Sequence, residues 1–137
     1  MPARIDLFVY GTLLRGEPNH GHLAGGRFLR ETATGSGFAL VDLGPYPGMI
    51  KAGGGCVAGE LYRVGAETLA ALDALEQHPE VYWRTAIRLV DRDPAQSYLL
   101  RPEHAAGHPL VPGGDWRAHR ARREASANMP RSFGETS

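Results

Sequence analysis

A glutamate that falls among leucines is the residue of this chain best suited to move a proton. Leu69, Leu72 and Leu75 recur at helical spacing within Ala66–Glu76. At about 100° per residue, with Leu69 as origin, Leu72 falls near roughly 300°, Leu75 near 240° and Glu76 near 340°. Glu76 therefore lies inside the apolar arc, while Glu67, Ala70, Ala71 and Ala74 occupy the opposite side. A carboxylate dehydrated in this way has a raised pKa, which is what a general base near neutral pH requires. The plainer alternative is a helix that ends near Leu75, with Glu76 turning out to water ahead of His78 and Pro79.

A second chemical feature is the turn after the first apolar run. Gly11 lets the backbone approach a ligand closely, and the N–H groups beyond it could form a small anion-binding nest. The segment lacks the Gly-Lys-Ser/Thr ending of a phosphate-binding loop, so nucleotide binding is rejected. Other polar residues have structural readings. Glu60, on one strand face with Tyr62 and Val64, is expected to be a structural carboxylate paired with Arg84 or Arg63. Asp73 sits at the edge of the apolar arc as a hydrogen-bonding residue, with contact to substrate as the alternative. His20 and His22, two residues apart, would diverge on a helix and have no suitably spaced partner, so no metal is expected. Cys56 reads as a loop thiol. Arg117, Arg120, Arg122 and Arg123 read as a solvated helix face.

The elements that must position these residues follow from apolar patterning and turn residues. Strands are expected at Ile5–Tyr10, Phe28–Ala33, Phe38–Asp42, Val57–Val64, Trp83–Leu89 and Ser97–Leu100. The helix Ala66–Glu76 stands between the fourth and fifth, and Asp115 is placed to cap a short helix through Trp116 and His119. Gly44–Gly48, with two prolines, is expected to be a loop. Strands outnumber helices and connections are short, which argues against a doubly wound parallel sheet. The expected fold is α+β: a small curved mixed or antiparallel sheet closing toward a β-barrel, with one or two flanking helices.

The 137 residues suit one domain, assigned to residues 1–123, with a flexible tail over 124–137. A net charge of zero gives no footprint for nucleic acid or a membrane surface. A single cysteine excludes an internal disulfide and suits a reducing compartment. No apolar run is long enough for a membrane span or reads as a signal peptide. A cytoplasmic monomer is the expectation.

Phe8-Val-Tyr-Gly-Thr-Leu-Leu-Arg-Gly16 with Pro18-Asn19-His20 resembles the opening of the γ-glutamyl cyclotransferase-like superfamily, in particular its γ-glutamylamine cyclotransferase branch. Pro45-Tyr-Pro-Gly48, Val57-Ala-Gly-Glu-Leu-Tyr62, Leu72-Asp-Ala-Leu-Glu76 and Tyr82-Trp-Arg-Thr85 follow in the order of that family. The resemblance implies an enzyme that needs no cofactor and acts on a small-molecule γ-glutamyl amine. It implies Glu76 as the proton acceptor, and Tyr10, Gly11, Thr12 and Leu13 as the loop that contacts the γ-glutamyl group. It also implies that the substrate's own α-amine closes onto the γ-carbonyl, giving 5-oxoproline and a free amine. An aromatic late in the chain lies near substrate in relatives, so Trp116 is either a pocket cover or ordinary packing. Two other functions remain open at this point: a non-catalytic binding module for a γ-glutamyl or amino-acid-like ligand, and an amide hydrolase.

Overall fold

The computed structural model describes residues 4–127 of the chain. Its strands are β1 (Arg4–Val9), β2 (Arg27–Ala33), β3 (Phe38–Asp42), β4 (Pro47–Lys51), β5 (Ala58–Gly65), β6 (Tyr82–Arg88) and β7 (Pro94–Leu100). The helices are α1 (Ala66–Leu75), α2 (Pro102–Ala105) and α3 (Trp116–Ala127), with single 3-10 turns at His20–Leu23 and Pro112–Gly114. All seven strands join one mixed sheet in the order β2-β5-β1-β7-β4-β3, with β6 added to β7.

Alternation along β1 separates two cores. Leu7 and Val9 pack with Leu69 and Leu72 of α1, while Phe8 and Tyr10 pack with Leu40, Met49, Leu99 and Trp116. That is the two-residue period of a strand buried on both faces. The sheet curves, and Thr34 just past β2 bridges Leu89 just past β6. Closure stops at that isolated bridge. The sheet is open, so the expected β-barrel is corrected to a curved open sheet.

β7 carries the feature that makes room for a site. One of its edges is covered by β6 from Tyr82↔Leu100 to Arg88↔Pro94. The other edge is shared by two parallel neighbours, β1 at Leu7↔Gln96 and β4 at Met49↔Leu99. β1 leaves the edge where β4 takes it over, and the strands fork. The Tyr10 hydroxyl spans the fork, donating to the Tyr98 carbonyl at 2.7 Å and accepting from the Met49 N–H at 3.2 Å.

Three sequence expectations change. The 44–48 segment is not wholly a loop, because β4 starts within it at Pro47. Proline is tolerated as the first residue of a strand, and Gly48 is demanded by packing: a Cβ there would lie 2.5 Å from Leu100 Cδ2. The last helix continues past Arg123 to Ala127, with Asp115 Oδ1 accepting from the Ala118 N–H as its cap. The rest of the expected tail, 128–137, lies outside the described residues. Finally, the arginine face of α3 is docked rather than solvated. Arg117 reaches Glu60, Arg120 reaches Glu17, and Arg123 reaches Asp42 and the Gly44 carbonyl. Among the described residues, no helix is long and apolar enough to cross a membrane.

Candidate active site

The fork opens into a cavity of about 270 Å³ at the carboxyl end of β1. Gaps between diverging strands are natural ligand sites, because backbone there is not consumed by the ladder. Tyr10, Gly11, Thr12, Leu13 and Glu76 all line this cavity. The structure thus gathers in one place the five residues singled out from the sequence.

Glu76 reaches the cavity by a route between the two sequence readings. α1 does end at Leu75, and Glu76 is its C-cap, yet φ −86° keeps the chain turning and its N–H still donates to the Leu72 carbonyl at 2.9 Å. The helical phase therefore persists one residue beyond the helix. The side chain is partly buried, and burial pushes its pKa up from 4.5 to about 7. Among the described residues, no cation lies within ion-pair distance of this carboxylate. A half-ionised, unpaired carboxyl in a cavity is suited to taking and returning a proton near neutral pH.

The bend that lines the cavity with Glu76 is braced from behind. Asn19 donates from Nδ2 to Thr12 Oγ1 at 3.0 Å and from its N–H to the Thr12 carbonyl at 2.8 Å. The Leu14 N–H donates to the Gly11 carbonyl, closing the turn. Among the described residues, the N–H groups of Gly11, Thr12 and Leu13 have no partner within the protein. The close approach that requires glycine at position 11 is to protein, since a Cβ would lie 2.6 Å from Pro47 Cγ.

Glu60 anchors the same bend without lining the cavity. Its carboxylate is 1% exposed and accepts from the Arg15 N–H (3.0 Å), the Tyr62 hydroxyl (2.9 Å) and Arg117 Nη2 (3.0 Å). Burial pushes its pKa up, but those three donors outweigh burial and hold it below the ordinary carboxylate range. Its partners are therefore Arg15 and Arg117, not Arg84 or Arg63. Arg63 pairs with Asp6, and Arg84 forms a two-pronged pair with Asp73 at 2.9 and 3.0 Å. Asp6 stands directly across from Arg63 on β1, and Asp73 reaches Arg84 from α1.

Tyr82 and Tyr98 were not singled out as site residues, and both line the cavity. The Tyr82 hydroxyl donates to the Pro47 carbonyl at 2.8 Å, and the Tyr98 hydroxyl donates to Asp73 Oδ1 at 2.6 Å. Burial raises both phenol pKa values, so both stay protonated, with their protons committed to protein acceptors. Asp73 thus orients a cavity residue and does not line the cavity. The readable signal was a tyrosine at an inward position of a strand, since a buried hydroxyl must find a partner. Trp116 does not cover the pocket: it is 1% exposed in the core that contains Phe8 and Leu61. His20 Nδ1 donates to the Leu13 carbonyl at 3.0 Å, and Cys56 is exposed.

Residues 7–118 match the family described as gamma-glutamyl cyclotransferase, AIG2-like. A Vibrio cholerae protein provisionally named gamma-glutamylcyclotransferase is 42% identical over 110 residues, covering 80% of this chain and 93% of its own. The mouse gamma-glutamylaminecyclotransferase is 38% identical over 106 residues, covering 66% of this chain and 71% of its own. The crystal structure of c4763, a uropathogenic E. coli-specific protein, superimposes with a TM-score of 0.78 at 29% identity, covering 87% of this chain and 97% of that one. The chain belongs to the gamma-glutamyl cyclotransferase, AIG2-like family.

Proposed function

We propose that this protein is a γ-glutamyl-amine cyclotransferase that uses Glu76 as its acid and base. The observation that carries the reading is the unpaired Glu76 carboxyl, pushed up to about 7 by burial, in one small cavity with the Tyr10–Leu13 bend. A volume of about 270 Å³ lies just below that of sites for drug-sized ligands and suits a molecule of amino-acid size.

In the reaction the substrate's α-ammonium gives a proton to Glu76. The freed amine attacks the γ-carbonyl carbon, a C–N bond closes the five-membered ring, and the original amide C–N bond breaks. Glu76 returns its proton to the departing nitrogen, and the ring nitrogen sheds its second proton, which the released amine takes up as an ammonium, so the enzyme ends as it began. No enzyme nucleophile takes part. The unpartnered N–H groups of Gly11 to Leu13 are the donors for the oxygen that becomes negative as the ring closes. Holding the glutamyl chain folded supplies the entropic share of the acceleration.

The test is a panel of γ-glutamyl amines incubated with the protein and read by mass spectrometry for 5-oxoproline and free amine. The same amides with an acetylated α-amine form the control. Cyclisation requires that amine, so blocked amides are expected to stay intact. Release of glutamate instead of 5-oxoproline would overturn the reading in favour of hydrolysis.

A further inference from the structure

The cavity that holds Glu76 has a graded wall. Its inner residues are closed off from water, with Tyr98 3% exposed, Tyr82 6% and Tyr10 7%. At its mouth the exposed, uncharged amide of Gln77 joins two apolar side chains, Tyr46, 46% exposed, and Leu75, 38% exposed. These are two of the chain's large hydrophobic side chains that remain in contact with solvent, and both border this one opening. They are mounted on firm supports. Leu75 is the last residue of α1, and Tyr46 lies between Pro45 and Pro47 in a turn closed by the Leu43 N–H on the Tyr46 carbonyl at 3.0 Å.

The mouth is also uncharged. Among the described residues, Glu76 is the one formally charged residue lining the cavity. Two arginines from the neighbouring strands and turns are committed elsewhere. Arg84 is held by Asp73, while Arg101 lies over the Trp83 ring and donates to the Pro79 carbonyl.

A γ-glutamyl group that places its reacting carbon between Glu76 and the Gly11 turn fills the inner end, so its leaving amine extends toward Tyr46 and Leu75. We infer that this mouth selects leaving amines that carry an uncharged hydrocarbon group, over amines that carry a carboxylate or a second ammonium. The inference rests on the cyclotransferase reading and adds the class of amine. A carboxylate on the leaving group would bring a second anion near Glu76 with no cation on the wall to balance it. A second ammonium would find only Glu76, whose proton traffic the reaction needs. A hydrocarbon chain instead removes the exposed faces of Tyr46 and Leu75 from water along with its own surface.

Four amides test this: γ-glutamyl ethylamide and three with six-carbon leaving amines, the hexylamide, 6-aminohexanoate and the mono-amide of 1,6-diaminohexane. The ethyl and hexyl leaving amines have matched basicity, so their comparison isolates binding at the mouth. With the full chain and 5-oxoproline as readout, kcat/KM for the hexylamide is expected to exceed that of the ethylamide by about tenfold, the effect of somewhat under two buried methylenes. It is expected to exceed those of both charged amides by at least about as much. Tyr46→Ser and Leu75→Ser should each lower the hexyl-to-ethyl ratio toward one. A charged amide that equals or beats the hexylamide overturns the inference, as does a ratio unchanged in both variants. No 5-oxoproline from any of the four overturns the cyclotransferase reading itself, whereas release without hexyl preference overturns this inference alone.

Discussion

Glutamine at position 76 keeps the shape of the glutamate, removes its charge and cannot titrate, so Glu76→Gln should separate stability from turnover in a pH-dependent way. The native carboxyl has a pKa of about 7 against an ordinary 4.5 because burial disfavours its ionised form. A native pKa raised above the unfolded one means that the fold binds this proton more tightly than the unfolded chain does. The associated stability is fully present below the ordinary carboxylate range and is lost as pH rises through about 7. At roughly 1.4 kcal/mol per factor of ten, the full effect is about 3 kcal/mol, and residual solvent contact trims it to about 2. For a chain of this size that is roughly 5–10 °C in melting temperature. The variant should therefore melt together with the parent near pH 4 and well above it near pH 8. Its turnover should fall by about 10²- to 10⁴-fold, the usual loss when a positioned base is removed. In the parent, kcat/KM should climb with pH and level off above about 7. Differential scanning calorimetry across pH 4 to 8, with 5-oxoproline release on the same samples, tests the whole chain of reasoning. A melting difference that does not change with pH, or turnover within a few-fold of the parent, would refute it.

Gly11→Ala places a methyl group 2.6 Å from Pro47 Cγ, so either the bend or the start of β4 must move. We expect about 1–3 kcal/mol of destabilisation by chemical denaturation and at least about tenfold loss of activity; activity within twofold would show that the bend does not hold substrate. Glu60→Ala strands the Tyr62 hydroxyl, the Arg15 N–H and the Arg117 guanidinium at a buried point. The expected cost is about 3 kcal/mol at pH 7 in urea unfolding. Because the native Glu60 pKa is depressed, that difference should shrink as pH falls through the ordinary carboxylate range.

Local patterning was enough for the elements whose evidence is local. β3 runs over Phe38–Asp42 as its apolar run implies, and the leucines of α1 placed Glu76 in the right arc even though the helix stops one residue short. β4 was hidden because its opening Pro47-Gly48 reads as a turn, and its reason for being a strand is Leu100, far along the chain. The tyrosines of the cavity were hidden for the same reason: whether Tyr82 and Tyr98 face a core or a cavity depends on which strand borders β7. The arginines of α3 looked solvated because their acidic partners lie 57, 81 and 103 residues away in sequence, at Glu60, Asp42 and Glu17. Periodicity reports which side of an element is inward; it is silent about long-range partners. The sheet's failure to close belongs to the same class of question, since it turns on one bridge between the ends of β2 and β6.

The sharing of one β7 margin by β1 and β4 carries a consequence for how such a chain can diverge. Two strands that compete for the same row of backbone partners leave a seam, and the Tyr10 phenol stitches it. Lengthening or rewriting peripheral connections does not heal that seam, because strand order creates it. On the proposed reading, chemistry is thereby anchored to topology, while the choice of amine is delegated to a few replaceable side chains at the rim.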